Sequence, residues 1–135
     1  MKLLVVLACS MALLSAQEAT RSVWDGVYTK EQASRGSEIY ARECAQCHGT
    51  SLTGGESAPP LAGGDFLSNW NGLTVGDLYE RIRTTMPLDR PGKLGRESNT
   101  DVLAFILGSN QFPAGKRELD RQTEALKQIR LEPQK

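Results

Sequence analysis

Two cysteines and one histidine stand close enough in the sequence to act on a single group. Cys44 and Cys47 are separated by two residues, and His48 follows directly in the run Cys-Ala-Gln-Cys-His. Two thiols at this spacing can form thioether bonds to the two vinyl groups of a haem, and the following imidazole then lies beneath the iron. The pattern predicts one covalently bound haem c, attached at Cys44 and Cys47, with His48 as an iron ligand.

Three other uses of these residues compete with haem attachment. A structural zinc site takes four ligands, and only three Cys and His residues remain once the N-terminal leader is removed. A redox-active Cys-X-X-Cys couple is expected near a βαβ pattern, which the sequence does not show. A plain disulfide is chemically possible but leaves His48 unexplained. The sequence therefore favours haem.

The second axial ligand must come from a residue other than histidine, because His48 is the only histidine in the chain. Met86, followed by Pro87, is the only methionine outside the leader. The stretch after His48 is long enough to pass around the haem edge and bring Met86 to the opposite face. A His/Met pair raises the reduction potential and closes the iron to small ligands, which favours electron transfer over catalysis. We therefore predict His48 and Met86 as the metal ligands.

The first 16 residues form a short apolar stretch that begins with Lys2 and ends in small residues. This pattern is typical of a secretory signal peptide, and it is shorter than the roughly 20 apolar residues that span a membrane. The sequence predicts a periplasmic mature protein without a transmembrane span. Lipid attachment at Cys9 is the alternative. The formal net charge of +0 gives no indication of nucleic-acid binding.

Hydrophobic periodicity and capping residues predict three helices that surround these groups. Thr29, three residues before Gln32, predicts a helix from Lys30 to about Cys44. Thr74 can cap a helix over residues 75–84, which leads to Met86. A third helix, opened by residues 98–101 and continuing through Leu107, is apolar almost all round, so we expect it to be buried.

The remaining segments are assigned from composition. Gly36, in the middle of the first helix, predicts close approach of another helix near Phe105. Residues 49–70 are rich in Gly, Ser, Thr and Pro and predict a loop. The charged residues 116–131 predict a fourth, amphipathic helix whose spaced apolar residues lie on the protein's own core, with docking to a partner as the alternative; these apolar residues are Leu119, Leu126 and Ile129.

From about Lys30 to Gly115 the chain resembles a class I c-type cytochrome. The family's Cys-X-X-Cys-His-Gly run is matched at 44–49, its Pro-X-Leu at 59–61, and its later Met-Pro at 86–87. The resemblance implies an all-α fold with three to four helices wrapped around one haem, to which the sequence adds the C-terminal helix. It also implies that the Pro59 carbonyl accepts a hydrogen bond from His48, that Leu61 lies at the haem, and that Trp70 reaches a propionate.

The segment from Met86 to Gly115 also resembles the small cytochrome domains found with bacterial quinoprotein dehydrogenases. The resemblance implies an electron carrier rather than an enzyme, with such a dehydrogenase or a quinol-oxidising complex as donor and an oxidase or another cytochrome as acceptor. A permanent subunit of a dehydrogenase, and a gas- or peroxide-binding haem with Met86 displaced, are the alternatives. The predicted division is a signal peptide (1–16), an N-terminal extension (17–29), a cytochrome domain (30–115) and a charged helical tail (116–135).

Overall fold

The computed structural model describes residues 19–134, so the predicted signal peptide, Cys9 and Lys135 lie outside the described residues. Within this range the protein is mostly helical, as predicted, and no helix is both long and apolar enough to cross a membrane. A two-residue strand and a 3₁₀ turn precede the first helix. The elements are β1 Arg21–Ser22, a 3₁₀ turn Val23–Asp25, α1 Lys30–Glu43, α2 Ala45–His48, α3 Gly64–Trp70, α4 Val75–Thr85, α5 Arg96–Ser109, α6 Thr123–Leu126 and β2 Ile129–Arg130.

Helices α1 and α5 cross in close contact and form the centre of the fold. A Cβ atom on Gly36 would overlap the carbonyl oxygen of Asp101 and lie 3.0 Å from the Cβ of Phe105, which confirms the predicted close approach. The rings of Tyr40 and Phe105 pack at 5.2 Å beside this crossing. Arg35 adds a two-point ion pair to Asp101 at 2.9 Å. The crossing therefore depends on a residue without a side chain at its tightest point.

The first three predicted helices are confirmed, with a change at the start of the third. Thr29 and Thr74 cap α1 and α4 through side-chain hydrogen bonds to the backbone, as expected. Helix α5 begins one turn earlier than predicted, at Arg96 after Gly95, and its apolar residues are buried apart from the half-buried Phe105. The prediction of a loop throughout residues 49–70 is wrong, because α3 forms in its second half around the buried Phe66.

The prediction of a continuous C-terminal helix over residues 116–131 is also wrong. Only Thr123–Leu126 is helical, and β2 follows it, paired in parallel with β1. The backbone of this segment bonds to other parts of the protein instead of to its own next turn: the Leu119 N–H donates to the Gln32 side chain, and the Leu131 N–H to the Leu73 carbonyl. The predicted packing on the protein's own core is confirmed, since its apolar side chains are buried; these are Leu119, Leu126, Ile129 and Leu131.

The segment before α1 and the segment after Gly115 are joined to each other as well as to the helices. The Arg21 N–H donates to the Gln128 carbonyl at 2.9 Å, and the Trp24 indole donates to the Glu132 carbonyl at 2.8 Å. Val23 and Val27 are buried in the same core as α5. The domain limits at residues 30 and 115 stay a prediction, and the flanking segments pack against that domain.

Candidate haem site

The predicted attachment residues lie on one short turn of helix directly after α1. Cys44 separates α1 from α2, Cys47 lies within α2, and His48 ends it. Gly49 follows with a φ of +81°, a left-handed conformation that suits glycine and turns the chain away from the helix. The two thiols are not joined in a disulfide, and Cys47 is exposed while Cys44 is half-buried. Both sulfur atoms and the imidazole therefore lie within a single turn.

The imidazole of His48 is fixed by a backbone carbonyl from the following loop. Its Nδ1 lies 2.8 Å from the carbonyl oxygen of Pro59, and only 7% of the residue is exposed. A carbonyl can only accept a hydrogen bond, so Nδ1 carries a proton, and in the neutral ring Nε2 is the nitrogen left free to bind a metal. Metal-binding histidines are commonly held in this way, with the second nitrogen free for the metal.

The loop that supplies the Pro59 carbonyl folds back onto the attachment turn. The Gly54 N–H donates to the His48 carbonyl at 2.8 Å, and the Tyr40 hydroxyl donates to the Gly49 carbonyl at 2.6 Å. A Cβ on Gly54 would lie 2.7 Å from the Ala58 carbonyl oxygen, and its φ is +76°. Gly54 and Tyr40 were not predicted as site residues, although an adjacent glycine pair at 54–55 is a sequence feature that indicates such a tight turn.

Burial raises the pKa of the Cys44 thiol to about 11, and the Glu43 carboxylate adds to the shift. Without the thioether bond this cysteine is therefore a neutral thiol at pH 7. Redox-active Cys-X-X-Cys pairs need the opposite, a lowered pKa that supplies a thiolate. The electrostatics at Cys44 therefore disfavour the disulfide oxidoreductase alternative.

Met86 ends α4 and begins the loop that leads to α5. It is half-buried, its N–H donates to the Ile82 carbonyl at 3.0 Å, and Pro87 after it is buried. The loop that follows returns to the attachment turn, because Arg90 and Lys93 contact the carboxylate of Glu43 at 3.3 and 3.2 Å. Glu43 directly precedes Cys44. The segment carrying Met86 is thus fastened beside the segment carrying the thiols.

Leu61 lies in the loop that supplies the Pro59 carbonyl, and Trp70 is the last residue of α3. The Leu61 N–H donates to the Leu52 carbonyl, and its own carbonyl accepts from the Asn110 side chain at 3.0 Å. Trp70 packs against Phe66 with ring centres 6.4 Å apart. It lines a groove of about 320 Å³ whose lining includes none of the other predicted site residues. Its contact with a propionate stays a prediction.

The residues present fit a covalently bound haem. Two free thiols precede a buried imidazole whose Nδ1 is already occupied, which leaves Nε2 for iron. A thioether stands at the end of α4, and a His/Met donor set is one of the known ligand sets of c-type haem iron. Were a haem bound here, Cys44 and Cys47 would hold it covalently, and His48 and Met86 would be the candidate iron ligands.

Comparison with known families gives a match over residues 31–106, more than half of the chain, to the model described as cytochrome c oxidase, cbb3-type, subunit III. The matched region runs from the start of α1 to the last turns of α5 and includes the attachment turn and Met86.

Two curated proteins resemble the chain. A cytochrome bc1 complex cytochrome c subunit of Corynebacterium efficiens is 25% identical over 104 residues, covering 75% of this chain and 34% of that protein. A thiosulfate dehydrogenase of Stutzerimonas stutzeri is 32% identical over 98 residues, covering 67% of this chain and 31% of that protein. The chain therefore spans about a third of the length of these relatives.

Among solved structures, the sulfane dehydrogenase SoxCD of Paracoccus pantotrophus matches the fold. The TM-score is 0.53 at 23% identity, with 80% of this chain and 61% of that chain covered. At this identity the likeness concerns the fold alone.

Proposed function

The chain belongs to the family described as cytochrome c oxidase, cbb3-type, subunit III, and we propose that it is a mono-haem cytochrome that shuttles single electrons through iron ligated by His48 and Met86. Electron transfer by a c-type cytochrome follows from the family. The haem, covalently bound, supplies the one-electron couple. The number of haems, the covalent attachment at Cys44 and Cys47, and the two axial ligands are our proposal.

The contact between His48 Nδ1 and the Pro59 carbonyl, at 2.8 Å, is the observation that carries this proposal. It fixes the ring plane and the tautomer before any metal binds, and it makes Nε2 more basic as a ligand. A histidine held only for packing has no need of a fixed orientation on the turn that also carries two free thiols. The arrangement supports a preorganised axial ligand.

We further propose a periplasmic location, reached through the signal peptide at residues 1–16, and a role between partner proteins. The relatives named as a bc1 complex subunit and a thiosulfate dehydrogenase support a quinol-oxidising complex or a dehydrogenase as donor. An oxidase or another cytochrome is the proposed acceptor. The burial of Leu119, Leu126 and Ile129 argues against a tail helix that is free to dock on a dehydrogenase.

The test is to express the full-length gene in a bacterium that attaches haem c, and to measure the mass and the ferric, ferrous and carbon monoxide spectra. We expect the mass of one haem per chain and a low-spin ferric spectrum with the methionine-to-iron band, unchanged by carbon monoxide in the ferrous state. Met86→Ala should lose the band and bind carbon monoxide. Leu88→Ala is the matched control in the same loop, because this side chain is 75% exposed.

Two results would contradict the proposal. A wild-type protein without covalent haem would remove its basis altogether. A wild-type ferrous protein that binds carbon monoxide as readily as Met86→Ala would mean an open sixth position, and would favour the gas- or peroxide-binding alternative.

A further inference from the structure

We propose that the C-terminal tail, residues 116–134, positions Met86 by holding α4 at its start and in its middle. The inference rests on the proposed function, in which Met86 is an axial ligand. Helix α4 has 11 residues, and isolated helices shorter than about 12–15 residues are marginal in water. Its position therefore has to come from the surfaces on which it packs, and the tail forms one of them.

The tail first holds the N-terminal end of α4. The Gly72 N–H donates to the Leu131 carbonyl at 2.8 Å, and the Leu131 N–H donates to the Leu73 carbonyl at 2.8 Å. Arg130 forms a β-bridge with Thr74, the residue that caps the helix. Leu131 is itself buried, whereas Gly72 and Leu73 are exposed. The start of α4 is thus built into a short strand arrangement with the tail.

The tail then contacts the middle of α4 at two points. Gly76 lies against Lys127 so closely that a Cβ on Gly76 would be 2.6 Å from the Lys127 nitrogen. One turn further on, the Thr123 hydroxyl donates to the carboxylate of Glu80, which also accepts two hydrogen bonds from Arg83. The tail thus meets α4 by backbone contact at one turn and by side-chain hydrogen bonds at the next.

Met86 is connected to these contacts through the helix itself. Its N–H donates to the Ile82 carbonyl, so its backbone continues the hydrogen-bonded ladder of α4. A displacement of the helix on the tail therefore displaces the thioether by a similar amount. The tail contacts α4 before Met86, whereas Arg90 and Lys93 fasten the loop after Met86 to Glu43, so the two sets of contacts act on different ends of the Met86 segment.

The experiment measures how often Met86 leaves the ferric iron, using added imidazole as the probe. Imidazole binds only when the methionine has left, so its apparent affinity rises in proportion to the open fraction. Thr123→Val removes one hydroxyl at constant shape, and we expect imidazole to bind about fivefold more tightly. Gly76→Ala should increase the affinity about tenfold by pushing Lys127 away. Alanine by itself favours the helix, so intrinsic helix stability would give the opposite change.

Tyr28→Phe is the matched control. It likewise removes one hydroxyl, here from the buried hydrogen bond of Tyr28 to the Phe112 carbonyl at 2.6 Å, and both of these residues lie outside α4 and the tail. We expect it to lower the denaturant midpoint of unfolding about as much as Thr123→Val does, with imidazole affinity equal to that of the wild type. If Gly76→Ala does not accumulate, Thr123→Val against Tyr28→Phe decides the matter.

The outcomes separate the two proposals. A closed wild-type protein in which Thr123→Val and Tyr28→Phe both bind imidazole like the wild type would overturn the positioning role of the tail and leave the proposed function standing. A wild-type protein that binds imidazole as tightly as Met86→Ala would overturn both, because no methionine would then be held at the iron.

Discussion

His48 is held by residues that lie close to it in the sequence, whereas Met86 is held by residues far along the chain. The Pro59 carbonyl and the Gly54 N–H, which fix His48, both come from the loop that directly follows it. The residues that hold α4, such as Thr123 and Leu131, lie some forty positions or more beyond their partners. The attachment side of the site is therefore a local structure, and the Met86 side depends on the whole fold.

This difference predicts that the two sides respond differently to mutation. A change in the loop after His48 should alter the hydrogen bonding and orientation of His48, while the affinity for imidazole stays the same. A change in the C-terminal tail should alter the affinity for imidazole, while the hydrogen bonding and orientation of His48 stay the same. The four variants below test this comparison, beginning with one that should damage both sides.

Gly36→Ala should have the largest effect, because the new Cβ would overlap the Asp101 carbonyl and force α1 and α5 apart. We expect a loss of more than about 4 kcal/mol in the free energy of unfolding, measured by denaturant titration followed by circular dichroism. Gly95→Ala is the control, since a Cβ there meets nothing within 4 Å. Equal stability of the two variants would mean that the crossing is not as tight as described.

Gly54→Ala should cost about 3 kcal/mol, from left-handed strain together with contacts to the Ala58 carbonyl and the Pro60 nitrogen. Gly72→Ala has a similarly positive φ of +84° but no neighbour within 4 Å, and should cost only about 1 kcal/mol. Because Gly54 supports the Pro59 carbonyl, the electron paramagnetic resonance of the ferric protein should change in Gly54→Ala only. A raised affinity for imidazole in this variant would contradict the separation of the two sides.

Leu126→Ala should cost about 2–3 kcal/mol, because the side chain is fully buried where α6 packs. The affinity for imidazole should rise in this variant, in contrast to Gly54→Ala, since the tail would hold α4 less firmly. Both quantities can be measured on the same preparation. A loss of stability with no change in the affinity for imidazole would show that the packing of α6 does not affect the position of Met86.

Glu80→Gln should have the smallest effect and a defined pH dependence. Hydrogen bonds from Arg83 and Thr123 lower the pKa of Glu80 from its ordinary value of 4.5 to about 2. A lowered pKa stabilises the folded state above pH 4.5, and this contribution is lost as the pH falls from 4.5 towards 2. Glu80 is partly exposed, so we expect less than about 1 kcal/mol. The stability of wild type and variant should differ at pH 6 and converge near pH 2, whereas a constant difference would contradict the assignment.

The part of the site that could be predicted is the part formed by residues that are close together in the sequence. Cys44, Cys47 and His48 lie on one turn because their spacing puts them there, and a single histidine limits the axial ligands whatever the fold. The role of Met86 as the second ligand stays a prediction, although the ending of α4 at this residue agrees with the expected helix. The glycine pair at 54–55 indicates a tight turn, but the hydrogen bonds by which Gly54 and Asn110 support the loop could not be predicted, because they depend on which carbonyl each residue meets after folding.

The amino-acid sequence by itself determined the helices with strong caps and periodic apolar faces, such as α1 and α4, because these are decided within one or two turns. Only the tertiary structure decided the form of residues 116–134. Their apolar residues have helical spacing, but Gln32, Leu73 and Trp24 offer hydrogen-bonding partners that a regular helix would leave unused. A charged amphipathic pattern predicts which side chains are buried. The hydrogen-bonding partners available elsewhere in the fold determine the backbone conformation in which they are buried.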